Sequence, residues 1–264
     1  MMRFLFSLLL FAFASNVSQA ASFDQTVWNG LLKKHVVSIR QGQATQVNYG
    51  GMAADRVQLK AYLNATSAVQ TTTFNSWKKP DQLAFLINTY NAWTVELILT
   101  QYPKLASIKD LGSLFESPWK KKFIPLLGET RSLDDIEHGL IRADRRYEEP
   151  RIHFAVNCAS IGCPALRTEA YEGDRLSVQL DEATKSFLSD RTRNHLDGAA
   201  LKLSPIFKWY RGDFERGWGG FKSLEHFLAI YRQSLGLTET NVRWLNTGDM
   251  DIEFLDYDWR LNRV

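Results

Sequence analysis

Most of this chain carries its apolar residues at a helical period. Between Phe23 and Ile39, the positions Val27, Leu31, Leu32, Val36 and Val37 predict a first amphipathic helix. The pattern turns polar from Gln41 to Gly51, where Tyr49-Gly50-Gly51 predicts a loop. Asp55 to Leu63 resumes the helical period, and a Thr- and Ser-rich connection leads on to Phe74. Pro80-Asp81 then opens the longest predicted helix, running to Gln101, because Pro in the first turn and Asp beside it suit a helix N-terminus. Its apolar positions, from Leu83 to Leu99, point nearly all round, which predicts a helix buried at the centre of a domain. Two asparagines, Asn88 and Asn91, share one face of it. A buried amide without partners is costly, so these side chains either tie neighbouring loops to the helix or line a cleft.

Short-period patterning enters afterwards. Lys122 to Ser132, turning at Gly128-Glu129, predicts a hairpin. Ser132 with Asp135 three residues on predicts a capped helix that carries Glu137 and His138. Ile152 to Asn157 predicts a buried strand, with His153, Ala155 and Asn157 on one face, before small residues break it at Cys158-Ala159-Ser160. Gly173-Asp174 opens another amphipathic helix, and Asn194 to Leu203 predicts a hairpin around Asp197-Gly198, extended by Ile206 to Tyr210. Leu224 to Leu235 predicts a last helix, and Asp251 to Trp259 a closing strand. No repeat, low-complexity tract or linker interrupts this order. It therefore predicts a single α+β domain over residues 21–264, mostly helical around a buried central helix, with a small mixed or antiparallel sheet. A papain-like arrangement is one form such a domain takes.

The first residues carry a different signal. Met1-Met2-Arg3, the apolar run Phe4 to Phe13 and the small residues of Ser18-Gln19-Ala20 predict a signal peptide over residues 1–20, cut before Ala21. Export to the periplasm or the medium follows, with no membrane anchor expected after cleavage. The formal net charge of +3 drops by one with Arg3, too mild a balance to imply nucleic acid or an anionic membrane as partner. Two cysteines among 264 residues are too few for a disulfide scaffold, so the fold must rest on its core.

Both cysteines fall in the segment Arg151 to Arg167, and the candidate chemistry gathers there. Cys158 follows the predicted strand among small and polar neighbours. As a nucleophile it needs a base or a positive environment, for which the candidates are His153, His138 with Glu137 as orienter, and the N-terminus of the helix that follows. Asn88, Asn91, Asn157 and Ser160 are the candidate substrate contacts. A Cys158–Cys163 disulfide is the competing reading; its short ring would contribute about 2 kcal/mol. The spacing is not C-x-x-C, His138 and His153 lack zinc-ligand spacing, and no metal or cofactor is expected. His35, His195 and His226 are read as surface or capping residues. The chain contains no G-x-S-x-G, Walker A or G-x-G-x-x-G.

The runs Gln82 to Thr94, Ser132 to Arg142, Arg151 to Leu166, Phe207 to Tyr210 with Asp213-Phe214, and Tyr257 to Asn262 resemble, in that order, the domain of unknown function 547. The resemblance covers nearly the whole mature chain, and the family carries no assigned activity. Some relatives replace the second cysteine, which implies a role for Cys158 apart from a bond to Cys163. Others are joined to glutaredoxin-like modules, which implies thiol chemistry. Two functions stay open: a papain-like cysteine hydrolase or acyltransferase for a small peptide or amide, and a non-catalytic binding module with a structural Cys158–Cys163 disulfide.

Overall fold

A computed structural model describes residues 22–113 and 116–264. The leader predicted over residues 1–20 lies outside them. The first helix, α1 (Thr26–His35), is shorter than its apolar period suggested, because the β-branched pair Val36-Val37 leaves it for strand β1 (Val36–Ile39). The predicted loop supplies the partner strand β2 (Ala44–Val47), antiparallel with Val36 opposite Val47, and then a short helix α2 (Tyr49–Ala54). Between the strands, Arg40, Gln41 and Gly42 all take positive φ, a tight reversal that no Asn-Gly or Asp-Gly pair advertises. His35, the last residue of α1, is buried and bonded to Asp55 at 2.6 Å, so of the surface and capping roles the surface one does not hold.

Helix α3 (Arg56–Ser67) follows, and the Thr-rich connection contains a helix of its own, α4 (Thr71–Ser76). Threonine is a weak helix former. What holds this turn is Phe74, buried against Trp77 and Phe85 with ring centroids 5.8 Å from each. The central helix α5 (Lys79–Leu99) is buried without a break from Gln82 to Leu99. Its core collects Trp28, Tyr49 and Leu63 from the first helices, Ile124 and Leu126 from the following hairpin, and Ile152 and Val156 from the cysteine segment.

The hairpin pairs β3 (Ile124–Leu126) with β4 (Glu129–Arg131), and Leu127 and Gly128 at its turn both take positive φ. Ser132 and Asp135 then exchange the two bonds of a capping box, at 2.8 and 3.0 Å. The helix so opened is wider than an α-helix: Asp135–Ile141 is π-helical, and the Arg142 N–H reaches the Glu137 carbonyl at 2.9 Å.

No strand forms at Ile152 to Asn157. Pro150–Phe154 is a 3₁₀ turn, and the chain after it is irregular, so the predicted side-chain parity does not apply. The reason lies in Asn91. Its Nδ2 donates to Ala155 O at 3.0 Å and its Oδ1 accepts from Asn157 N at 2.8 Å, the donor–acceptor pair that a neighbouring strand would otherwise supply. Asn88 clamps Tyr171 in the same way, at 2.8 and 3.0 Å. Asn91→Ala should therefore cost about 1–3 kcal/mol, because buried backbone groups lose their partners; urea unfolding measures it.

Helix α6 (Leu176–Ser189) leads to the hairpin β5 (His195–Asp197) and β6 (Ala200–Leu203). The hairpin is not extended as predicted. Pro205 instead opens helix α7 (Ile206–Trp209), followed at once by α8 (Arg211–Glu215). The predicted last helix breaks at Tyr231 into α9 (Leu224–Ile230) and α10 (Arg232–Leu235). A further helix, α11 (Glu239–Thr247), starts from a Thr238/Asn241 capping box. Strand β7 (Asp251–Phe254), shorter than predicted, lies parallel to β6, and β5 pairs antiparallel on the other side, giving a small mixed sheet. Phe154, Phe187, Phe207, Phe214 and Phe227 form the second core. The segment Ile152 to Val156 runs between the two cores, with Phe154 in one and Ile152, Ala155 and Val156 in the other. Among the described residues, no helix is long and apolar enough to cross a membrane.

Candidate functional site

A cleft of about 180 Å³ opens beside that segment. Tyr90 of α5 contributes to it, as do Asp134, Glu137 and His138 from the start and first turn of the π-helical stretch. The cysteine segment supplies His153, Val156, Cys158 and Cys163, and α7 brings Trp209, with Tyr210 directly after it. Trp119, Tyr257 and Trp259 close the aromatic side. The four residues predicted to do chemistry, Cys158, His138, His153 and Glu137, thus meet in one cleft although the chain separates them.

The two histidines differ in what they can do. His153 is fully buried, with Nε2 2.8 Å from Asp213 Oδ2, and its ring stacks on Tyr210 at a centroid distance of 3.9 Å. Asp213 is buried as well. Burial works to raise its carboxyl, but hydrogen bonds from His153 and Arg142 overcome this and hold it well below the usual carboxylate range. Arg142 Nε lies 2.6 Å from the same oxygen, and Arg216 pairs with the other at 3.0 Å. Because that carboxylate carries no proton, His153 Nε2 is the donor. Burial also holds the His153 imidazole below its ordinary value, against the pull of Asp213. The neutral ring then keeps a lone pair on Nδ1, which has no hydrogen-bond partner among the described residues. His138 is more exposed, and its Nδ1 already accepts from Arg142 Nη1 at 2.7 Å, since a guanidinium cannot accept. Its free lone pair is gone. Of the two, His153 is the imidazole equipped to take a proton.

Asp213, not Glu137, orients that imidazole. Glu137 is only 5% exposed, and its Oε1 has no hydrogen-bond partner among the described residues; the nearest imidazole nitrogen, His138 Nδ1, lies 3.9 Å away. The Tyr90 and Tyr210 hydroxyls lie by this carboxylate, and burial together with its charge pushes both phenols up.

The two cysteines are joined: Cys158–Cys163 is a disulfide. Cys158 is the more exposed of the pair. The Cys158 N–H donates to Cys163 Sγ at 2.8 Å, and the Tyr257 hydroxyl donates to Cys158 Sγ at 3.1 Å, a disulfide sulfur having no proton to give. Ala159 takes positive φ directly after Cys158, which sets the sharp turn that presents it. The remaining predicted contacts do not line the cleft. Asn88 and Asn91 spend their amides on backbone, Asn157 bonds Pro164 O and Ala159 N at 2.7 and 2.9 Å, and Ser160 is buried in a bridge to Leu261. They hold the wall from behind.

Asp213 and the aromatic side were missed as site residues. Asp213-Phe214 stood out in the sequence only as a matched pair, with nothing to say that a buried histidine would face it. The same holds for Trp209, Tyr257 and Trp259, whose rings sit 4.4 to 5.8 Å from one another.

Residues 74–188 match the family model described as protein of unknown function, DUF547, and this segment is similar to that family. The match spans the central helix, the Glu137/His138 turn and both cysteines, and it ends before Asp213, Trp209 and Tyr257. It is narrower than the sequence resemblance suggested. No curated protein and no solved structure matches the chain.

Proposed function

We propose that the cleft is a thiol-dependent active site, a cysteine hydrolase or acyltransferase for a small peptide or amide, working in the reduced chain. The observation that carries this reading is the buried His153–Asp213 pair, with an unpartnered imidazole nitrogen, in the cleft that also presents Cys158. An external dithiol first opens the disulfide, giving up two electrons and two protons to the two sulfurs. Cys158 then passes its proton to His153 Nδ1 and its sulfur attacks the carbonyl carbon. Collapse of the adduct breaks the C–N bond, and the imidazolium returns the proton to the leaving amine. Water or an acceptor amine takes the acyl group from the thioester and restores the thiol. Asp213 keeps the imidazole in the needed tautomer and stabilises its charged form throughout.

The test is alkylation. After reduction, iodoacetamide should label Cys158 ahead of buried Cys163, with a rate that falls through an apparent pKa below the free-thiol value of about 8.5. Equal labelling of both sulfurs, or an ordinary thiol profile at Cys158, sinks the nucleophile assignment.

One observation favours the second reading, a binding module: the disulfide itself, which leaves Cys158 without a thiol. On that reading the oxidised chain binds its ligand fully, and reduction adds no turnover.

A further inference from the structure

We propose that the cleft recognises a protonated amine: its ligand is a small molecule, or the end of a peptide, with a free ammonium beside an apolar body. This names the substrate class of the site proposed above and rests on the cleft being the place where substrate sits. Glu137 carries the argument. A carboxylate that is 5% exposed, with one oxygen lacking any hydrogen-bond partner among the described residues, is costly unless a donor reaches it. The Tyr90 and Tyr210 hydroxyls beside it are neutral and leave its charge unmatched, and the neighbouring cations are spent elsewhere. Arg142 is engaged by Asp213, by His138 Nδ1 and by the face of Tyr210, 4.8 Å from the ring centre. His138, whose Nδ1 accepts from that guanidinium, offers Glu137 Oε1 no proton across 3.9 Å.

Two further features fit an ammonium better than a neutral donor. Asp134 stands three residues before Glu137 and also lines the cleft, so a second carboxylate adds to the negative potential. The cleft is also lined by aromatic rings, Trp209 and Tyr257 beside Trp259, which suit a cation or the carbon body next to it. The outer ring already shows this affinity: the Lys109 ammonium sits 3.7 Å from the centre of Trp259. A cavity of about 180 Å³ limits the bound part to a group the size of one side chain. An aromatic side with acidic residues also suits a neutral sugar, but a sugar leaves the charge of Glu137 unmatched.

The experiment uses the oxidised chain, in which Cys158 is tied up, so its result is independent of the thiol chemistry. Binding of leucinamide and of N-acetyl-leucinamide is measured by calorimetry at about pH 6, where the free α-amine is charged. Leucinamide should bind at least about tenfold more tightly, and Glu137→Gln should erase that preference while leaving the acetylated probe unchanged. If Glu137→Gln fails to fold, Asp134→Asn, at a half-buried position, should reduce the preference in the same direction. Equal binding of the two probes, an unchanged preference in the variants, no binding of leucinamide, or displacement by glucose alone each overturns the proposal. Failure here leaves the alkylation result standing, and failure there leaves this one standing.

Discussion

Asp213→Ala should destabilise the folded chain by about 3–5 kcal/mol, the cost of removing one partner from a buried ion pair and leaving the others uncompensated. Asp213 is fully buried, and His153 and Arg142 both donate to the same carboxylate oxygen. Urea unfolding at neutral pH measures the loss, and a change below about 1 kcal/mol, the scale of an exposed pair, would refute it. The same pair fixes the pH dependence. In His153 and Asp213 alike the folded chain binds its proton less readily than the unfolded chain. The His153 contribution is whole above about pH 6.5 and is lost as the pH falls from there toward its folded value. The Asp213 contribution is whole above about pH 3.9 and is lost on further acidification toward its lower folded value. Stability should thus decline in two stages on acidification, and Asp213→Asn should remove the second. Unfolding curves at about pH 7, 5 and 3 distinguish this from a single acid transition.

His153→Ala should slow acylation of Cys158 in the reduced chain by about 10²–10⁴, the usual range for a positioned general base. The readout is single-turnover acetylation by p-nitrophenyl acetate, followed by intact mass and by mapping of the adduct. His153 is buried, so His153→Gln serves as the second variant, with a side chain that can still donate to Asp213 while offering no basic nitrogen. His138→Ala, at the imidazole whose lone pair Arg142 occupies, should change the rate by less than about tenfold. The reverse order, His138 essential and His153 dispensable, refutes the assignment of the base. Acetylation spread over surface lysines with Cys158 untouched removes the nucleophile.

The segment Arg151 to Arg167 stood out from the residue types alone, because both cysteines follow an apolar run that ends in small, turn-forming residues. The central helix was equally plain: the apolar positions of α5 point nearly all round, and its eighteen residues from Gln82 to Leu99 are all buried. Local signals with a mechanism also carried through, among them the Ser132/Asp135 cap and the turn at Asp197-Gly198. The similarity to the DUF547 family model over residues 74–188 was visible in the runs from Gln82 to Leu166.

What failed did so where a distant partner outweighed local preference. Ile152 to Asn157 has the composition of a strand, but the Asn91 side chain satisfies its backbone, so it needs no strand beside it. The Thr-rich turn at Phe74 is helical because three aromatic rings pack there. The site shows the same division. Its candidate residues could be named from their chemistry, since only a few side chains in this chain can act as nucleophile or base. Which histidine keeps a free nitrogen depends on Asp213, which arrives from α8 and draws Arg142, four residues after His138, into place. That choice, the joining of Cys158 to Cys163 and the unmatched carboxylate of Glu137 belong to the tertiary structure, because hydrogen bonds and ion pairs are decided by distances between residues and the sequence specifies only their types.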